Sequence, residues 1–93
     1  MFQYSSQYLR KLRNEIPIDT VITNLLKMEV HKTTGRLRFR CPTCGNYHTA
    51  VNPKTNLARC FDCKKNFNPI DLVMAVSGCS FMDAVQYLEK NAS

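Results

Sequence analysis

The chain has 93 residues, 44% of them hydrophobic, a formal net charge of +6 and a pI near 9.3. A chain of this length is expected to form one small domain that buries roughly 60–65% of its surface, and such domains often add a metal or disulfide staple. The composition excludes a disordered tail, no apolar run reaches the roughly 18 residues of a membrane span, and the start MFQYSSQYLRKLRNE is too polar for a secretory signal, so the cytoplasm is the expected location.

Residues 5–14 read as a helix with Tyr8, Leu9 and Leu12 on one face. Pro17 restricts Ile16 and suits the first turn of a second helix. In that helix Ile18, Val21, Ile22, Leu25 and Leu26 recur at helical spacing. Thr33-Thr34-Gly35 reads as a turn between strands at 28–32 and 37–40. Residues 47–51 and 57–60 form a further pair of strands around the turn Asn52-Pro53-Lys54-Thr55-Asn56. Asn68-Pro69 supplies an N-cap and first helical residue, Gly78 a stop, and Ser80 with Asp83 the start of a last helix. The expected fold is α+β: helices over about 5–27, a small antiparallel sheet within about 28–66 that carries the cysteines, and helices over about 69–91.

Four of the five cysteines are spaced C-x2-C-x15-C-x2-C: Cys41, Cys44, Cys60 and Cys63. This spacing is that of a zinc site. Two cysteines two residues apart can aim both sulfurs at one point from a tight knuckle, and Gly45 tolerates the positive φ such a knuckle needs. A hairpin built from the 15-residue spacer delivers the second pair to the same ion. Four thiolates complete a tetrahedral zinc shell and leave no position for water, so the ion is structural. Disulfides need an oxidising compartment and leave Cys79 over. A redox pair needs only one Cys-x-x-Cys, and spacing alone leaves an iron–sulfur cluster open. His48 and His31 are expected on the surface, and Cys79 as a small buried apolar residue.

Positive charge is concentrated on this module. Between residues 32 and 65 stand Lys32, Arg36, Arg38, Arg40, Lys54, Arg59, Lys64 and Lys65, opposed only by Asp62. That distribution is the footprint of a polyanion-binding surface; its plainer reading is a solvated surface. Alternation sets Arg36, Arg38 and Arg40 on one side of their strand, toward solvent, with Leu37 and Phe39 on the other, toward the core. Tyr47 is the better base-stacking platform, and Phe61, inside a knuckle, is left open between stacking and core. No paired carboxylates, nucleophilic triad or phosphate loop stands out, and Asp19, Asp71 and Asp83 suit the first turns of helices.

The CPTC knuckle, the NPKTNLARCFDC return and the tail NPIDLVMAVSGCSFMDAVQYLE together resemble the zinc-binding domain of DnaG-type bacterial primases, the Cys-His-Cys-Cys zinc family. Phe61, Gly78, Ser80-Phe81 and Ala84-Val85 carry the likeness, which runs from about Tyr8 to Lys90. It implies a zinc ribbon that contacts single-stranded template when primer synthesis starts and works with a separate RNA polymerase domain and a helicase-binding domain. Three features depart from the family. Cys44 stands where the family has histidine, which keeps the site closed but brings the zinc and its thiolates to a net −2, with Arg40, Arg59 and Lys64 near enough in sequence to offset it. Tyr47-His48-Thr49-Ala50 replaces Thr-Pro-Ser-Phe, and Lys64-Lys65-Asn66-Phe67-Asn68 replaces a glycine-rich stretch. The polymerase domain is absent, which leaves an excised fragment or a stand-alone domain; the Met1 start favours the second.

The expected function is therefore a zinc-dependent, non-catalytic, single-stranded-DNA-binding module that assists priming or replication with a polymerase or helicase in trans. Its expected DNA contacts are Arg36, Arg38, Arg40, Tyr47, Lys54, Arg59, Lys64 and Lys65. The alternative is a zinc scaffold that docks a replication protein through the acidic end helices. A nuclease or deaminase is disfavoured by the closed four-cysteine shell.

Overall fold

The computed structural model describes residues 4–33 and 36–91; the Thr33 side chain and the expected turn at Thr34-Gly35 lie outside the described residues. Helix α1 (Ser6–Glu15) starts at Ser5, whose side chain accepts the Tyr8 N–H, and presents Leu12 to the core. Helix α2 (Ile18–Thr20) begins at Pro17 and runs straight into a π-helical turn over Val21–Leu25. The widened turn is a departure from the regular helix that the apolar spacing predicts. The Leu26 N–H reaches back to the Val21 carbonyl at 2.8 Å and the Met28 N–H to the Ile22 carbonyl at 2.9 Å. Lys27, at φ 51°, turns the chain out of the helix. The result buries Ile18, Val21 and Ile22 and leaves Leu25 and Leu26 half-buried.

Five antiparallel strands follow in a simple meander: β1 (Val30–Thr33), β2 (Arg36–Phe39), β3 (Thr49–Asn52), β4 (Leu57–Cys60) and β5 (Asn66–Phe67). The first strand starts two residues later than its sequence suggests, and so does the third; β5 is an element the sequence reading missed. Residues directly opposite on antiparallel neighbours point to the same face. One face is therefore Phe39, Thr49 and Cys60 in one row and Val51, Ala58 and Phe67 in the next. All six are buried, and they share one apolar cluster with Leu12, Ile18, Ile22, Ile70, Val85 and Leu88 from the helices, except Thr49, which is the buried polar member of the row. The opposite face carries the row His31, Arg38, Ala50, Arg59, Asn66 across all five strands.

Helix α3 (Pro69–Ser77) has a reciprocal cap: Asn68 Oδ1 accepts the Asp71 N–H at 2.8 Å and Asp71 Oδ2 accepts the Asn68 N–H at 3.3 Å. It ends at Gly78, whose φ of 72° is the left-handed stop that glycine adopts without strain. Helix α4 (Phe81–Asn91) opens with Ser80 Oγ accepting the Asp83 N–H at 3.1 Å and buries Ala84, Val85 and Leu88. It is tied to the N-terminal helical region. Tyr87 donates to the Leu25 carbonyl at 2.9 Å, while Tyr4 and Tyr8 donate to the two Glu89 oxygens. Among the described residues no helix is long and apolar enough to cross a membrane.

The turn between β3 and β4 does more than reverse the chain. Asn56, at φ 56°, accepts the Ile18 N–H at 2.8 Å and donates to the carbonyls of Arg13 at 2.6 Å and Ile16 at 2.7 Å. One amide thus satisfies the open end of α1 and the open start of α2, fixing the N-terminal helices against the sheet.

Candidate metal centre and the surface beside it

The four cysteines come from two knuckles at one end of the sheet. The first follows β2 and the second follows β4, and their backbones repeat one another. The Cys41 N–H donates to the Asn46 carbonyl at 2.9 Å, and the Cys60 N–H to the Lys65 carbonyl at 3.0 Å. Four residues after each first cysteine the chain is left-handed, at Gly45 with φ 79° and at Lys64 with φ 60°. Glycine does this freely; lysine does it at a cost of about 1–2 kcal/mol.

The ligand atoms converge. Cys41 and Cys63 sulfurs are 3.6 Å apart, Cys44 and Cys60 sulfurs 3.5 Å apart, and all four lie within 4.8 Å of one another. A tetrahedral zinc–thiolate site with bonds of about 2.3 Å puts its sulfurs roughly 3.8 Å apart, so the donor set fits one such ion. Backbone N–H groups point at the first sulfur of each pair: Thr43 and Cys44 at Cys41 Sγ, 3.4 and 3.5 Å, and Cys63 at Cys60 Sγ, 3.5 Å. Burial pushes the Cys60 thiol up, but the Cys63 N–H and the neighbouring Cys63 and Cys44 sulfurs outweigh it and bring the thiol to about 6. Cys41 is lowered against the same burial by the N–H groups of Cys44 and Thr43. Burial and the adjacent Cys60 push Cys63 up to about 12. Cys44 is raised as well: the Asn46 backbone pulls it down, and burial with the Cys60 and Cys41 sulfurs overrides that. Within each knuckle the first sulfur is thus lowered and the second raised. A divalent cation at the centre stabilises all four as thiolates and supplies folding energy rather than a reactive position.

The histidines stand outside this shell. His48 Nδ1 pairs with Asp62 Oδ2 at 2.5 Å, linking the start of β3 to the tip of the second knuckle. His31 is exposed, 3.9 Å from Glu29. Cys79 is half-buried against the core rather than fully enclosed.

The basic residues divide by place. Arg38 and Arg59 flank Ala50 on the open sheet face. Arg59 is exposed and donates to Asn66 Oδ1 at 3.3 Å. Arg38 is half-buried rather than solvent-facing, and its Nε is buried with no partner among the described residues. Lys64 and Lys65 are exposed beside the second knuckle. Arg40 is exposed but lies over the Tyr47 ring, 4.9 Å from its centroid. Arg36 and Lys54 sit at the other end of the sheet, at a cavity away from the cysteines.

The two aromatic candidates differ in exposure. Tyr47 is half-buried: Arg40 covers one ring face, His31 meets it edge-on with centroids 5.3 Å apart, and its hydroxyl donates to Glu29 at 3.2 Å. Phe61 is 55% exposed. Its N–H donates to the His48 carbonyl at 3.1 Å, so the β3–β4 ladder continues one step past Thr49 and Cys60. Alternation then sets Phe61 on the same face as Arg59. Phe39, by contrast, is fully buried in the core, as its place in the strand pattern predicts.

The CHC2 zinc finger family model matches residues 4–93. A DNA primase of Streptomyces coelicolor is 27% identical over 86 residues, which cover 90% of this chain and 13% of that protein. A solved structure of the Aquifex aeolicus primase, comprising its zinc-binding and RNA polymerase domains, superimposes with a TM-score of 0.77 at 26% identity, covering 96% of this chain and 22% of that one. The chain thus spans a small part of the length of each primase it resembles. With four sulfurs gathered as a zinc shell at the end of a five-stranded antiparallel sheet, the chain belongs to the CHC2 zinc finger family, and Cys44 stands where the family's pattern has histidine.

Proposed function

We propose that residues 1–93 act as a single zinc-binding domain that holds single-stranded DNA for primer synthesis, has no catalytic centre of its own, and serves a polymerase or helicase acting in trans. The observation that carries this reading is the open sheet face. Arg38 and Arg59 stand in register on either side of Ala50, with the exposed Phe61 two residues beyond Arg59 in the chain. Sequence-tolerant binding of single strands joins a cationic track for phosphates to aromatic rings for bases, and that is the combination present. Lys64 and Lys65 extend the cationic track around the second knuckle, and Arg40 with Tyr47 bounds it on the other side. Zinc acts as the clamp that holds the knuckles, and therefore Phe61, at the edge of this face. A reducing compartment such as the cytoplasm keeps the four sulfurs available to it.

The test is a fluorescence-anisotropy titration of zinc-loaded protein with a short single strand and its duplex at two salt concentrations. Tighter binding of the single strand, weakening with salt by a few counterions, supports the reading. Equal or absent binding of both strands at low salt overturns it.

A second reading, a scaffold that docks a replication protein, draws on a different surface. Val76 on α3 and Phe81 at the start of α4 are 39% and 40% exposed. Co-purification of a polymerase or helicase that survives nuclease treatment and is lost on Phe81→Ser supports this reading.

A further inference from the structure

At the end of the sheet opposite the cysteines, a cavity of about 760 Å³ opens between the start of α2, the β1–β2 strand ends and the β3–β4 turn. Three cations line it, one from each of three elements: Lys32 of β1, Arg36 of β2 and Lys54 of the turn. Among the described residues none of their charged groups has an ion pair or hydrogen bond. One acid, Asp19, shares the wall, and its Oδ1 already accepts the Thr20 N–H at 2.9 Å. Asn52 adds a polar side chain whose carbonyl oxygen holds the Lys54 N–H at 3.0 Å, which leaves its amide N–H groups free to donate.

Three unpaired cations around one concave site repel one another, and the cavity gains from an anion that carries several negative charges. A single backbone phosphate carries one. A terminal polyphosphate carries three or four, places oxygens along a length that can meet three separate donors, and fits a cavity of small-ligand size. We infer that this cavity binds the polyphosphate of a nucleotide, with Lys32, Arg36 and Lys54 on its oxygens. The site lies at the end of the strands away from the cysteines: Arg36 and Asn52 stand two residues, about 7 Å, beyond Arg38 and Ala50 of the proposed strand-binding row. The shared chemistry has two sources, a free nucleoside triphosphate or the 5′-triphosphate end of a nucleic acid strand.

Calorimetric titration of the zinc-loaded protein with inorganic tripolyphosphate, ATP and adenosine tests this, with the bound zinc measured before and after. Tripolyphosphate and ATP should bind and adenosine should not. Lys54→Ala and Arg36→Ala, both at exposed positions, should each weaken tripolyphosphate about tenfold, while Arg59→Ala on the open face leaves it within about twofold. A 5′-triphosphorylated oligonucleotide compared with its 5′-hydroxyl form then assigns the source: a preference that Lys54→Ala abolishes identifies the strand end, and no preference identifies the free nucleotide. The proposal is overturned if tripolyphosphate does not bind at about millimolar concentration, or if Arg59→Ala weakens it as much as Lys54→Ala. Neither result bears on single-strand binding by Arg38, Arg59 and Phe61, which the anisotropy titration reads independently.

Discussion

The two cysteine knuckles follow the same backbone course and carry opposite tips. Both close an N–H to carbonyl bond over five residues, and both turn left-handed four residues after their first cysteine. The first has glycine at that turn and Pro42-Thr43 at its tip, and it borders a groove shared with Ala75 and Val76 of α3. The second has lysine at that turn and Phe61-Asp62 at its tip, joined to the open sheet face through His48. Chelation needs only the backbone and the sulfurs, so the tip residues are free to differ. At the second knuckle a cation occupies a left-handed position and a large ring is left in solvent. The left-handed lysine costs stability, and both choices suit a surface that meets a polyanion.

The largest expected effect comes from breaking what the knuckles share. Cys60→Ser, or removal of zinc by a chelator, takes a ligand or the ion from both knuckles at once. Because structural zinc is folding energy, the loss should be comparable to the stability of a small domain, about 5 kcal/mol or more. Thermal unfolding followed by near-ultraviolet circular dichroism checks this; a cooperative, unshifted transition without metal would show that the core alone holds the fold. Asn56→Ala sharpens the comparison from the other end of the sheet, where hydrogen bonds rather than a chelate join the elements. It leaves the Ile18 N–H and two helix-end carbonyls without their partner, and should cost about 2–3 kcal/mol in chemical denaturation while zinc stoichiometry stays at one. A loss of zinc in that variant would mean that the two ends do not fold independently.

Tip substitutions separate function from chelation. Phe61→Ala should weaken single-strand binding by about 1–3 kcal/mol, yet change folding stability by less than about 0.5 kcal/mol because the ring is exposed. Thr43→Ala, at the tip of the first knuckle, should change neither. Equal losses from the two would erase the distinction drawn between the tips. The smallest effect is expected from Lys64→Gly. It makes the second turn like the first, and should raise stability by about 1 kcal/mol while reducing the salt dependence of DNA binding by about one counterion. A destabilised Lys64→Gly protein would mean that the lysine is held by more than the local turn.

Much of this architecture is legible in the sequence where a residue type has one local use. The Asn68-Pro69 start, the Gly78 stop and the strand Leu57–Cys60 fall where local chemistry puts them. The cysteine spacing points to a single metal shell because two knuckles on a hairpin can meet in few ways. Features that depend on distant partners were not legible. Asn56 reads as a turn residue, and its bonds to Arg13, Ile16 and Ile18 span about forty positions. The π-helical turn preserves the apolar spacing of an ordinary helix, so periodicity cannot reveal it. Strand β5 has two residues, too few to alternate. Tyr47 looks available to a base until Arg40, His31 and Glu29 are seen to surround it, whereas Phe61 faces solvent because the knuckle leaves it no core to enter.

We place the single-strand surface on the second knuckle and the adjoining arginine row, not on the first knuckle. Amide chemical-shift mapping of isotope-labelled, zinc-loaded protein during titration with a short single strand checks this placement. The perturbed amides should cluster at Arg38, Ala50, Arg59, Phe61 and Lys64. Perturbations confined to Thr43, Gly45, Val76 and Phe81 would contradict it and place the ligand on the other side of the metal centre.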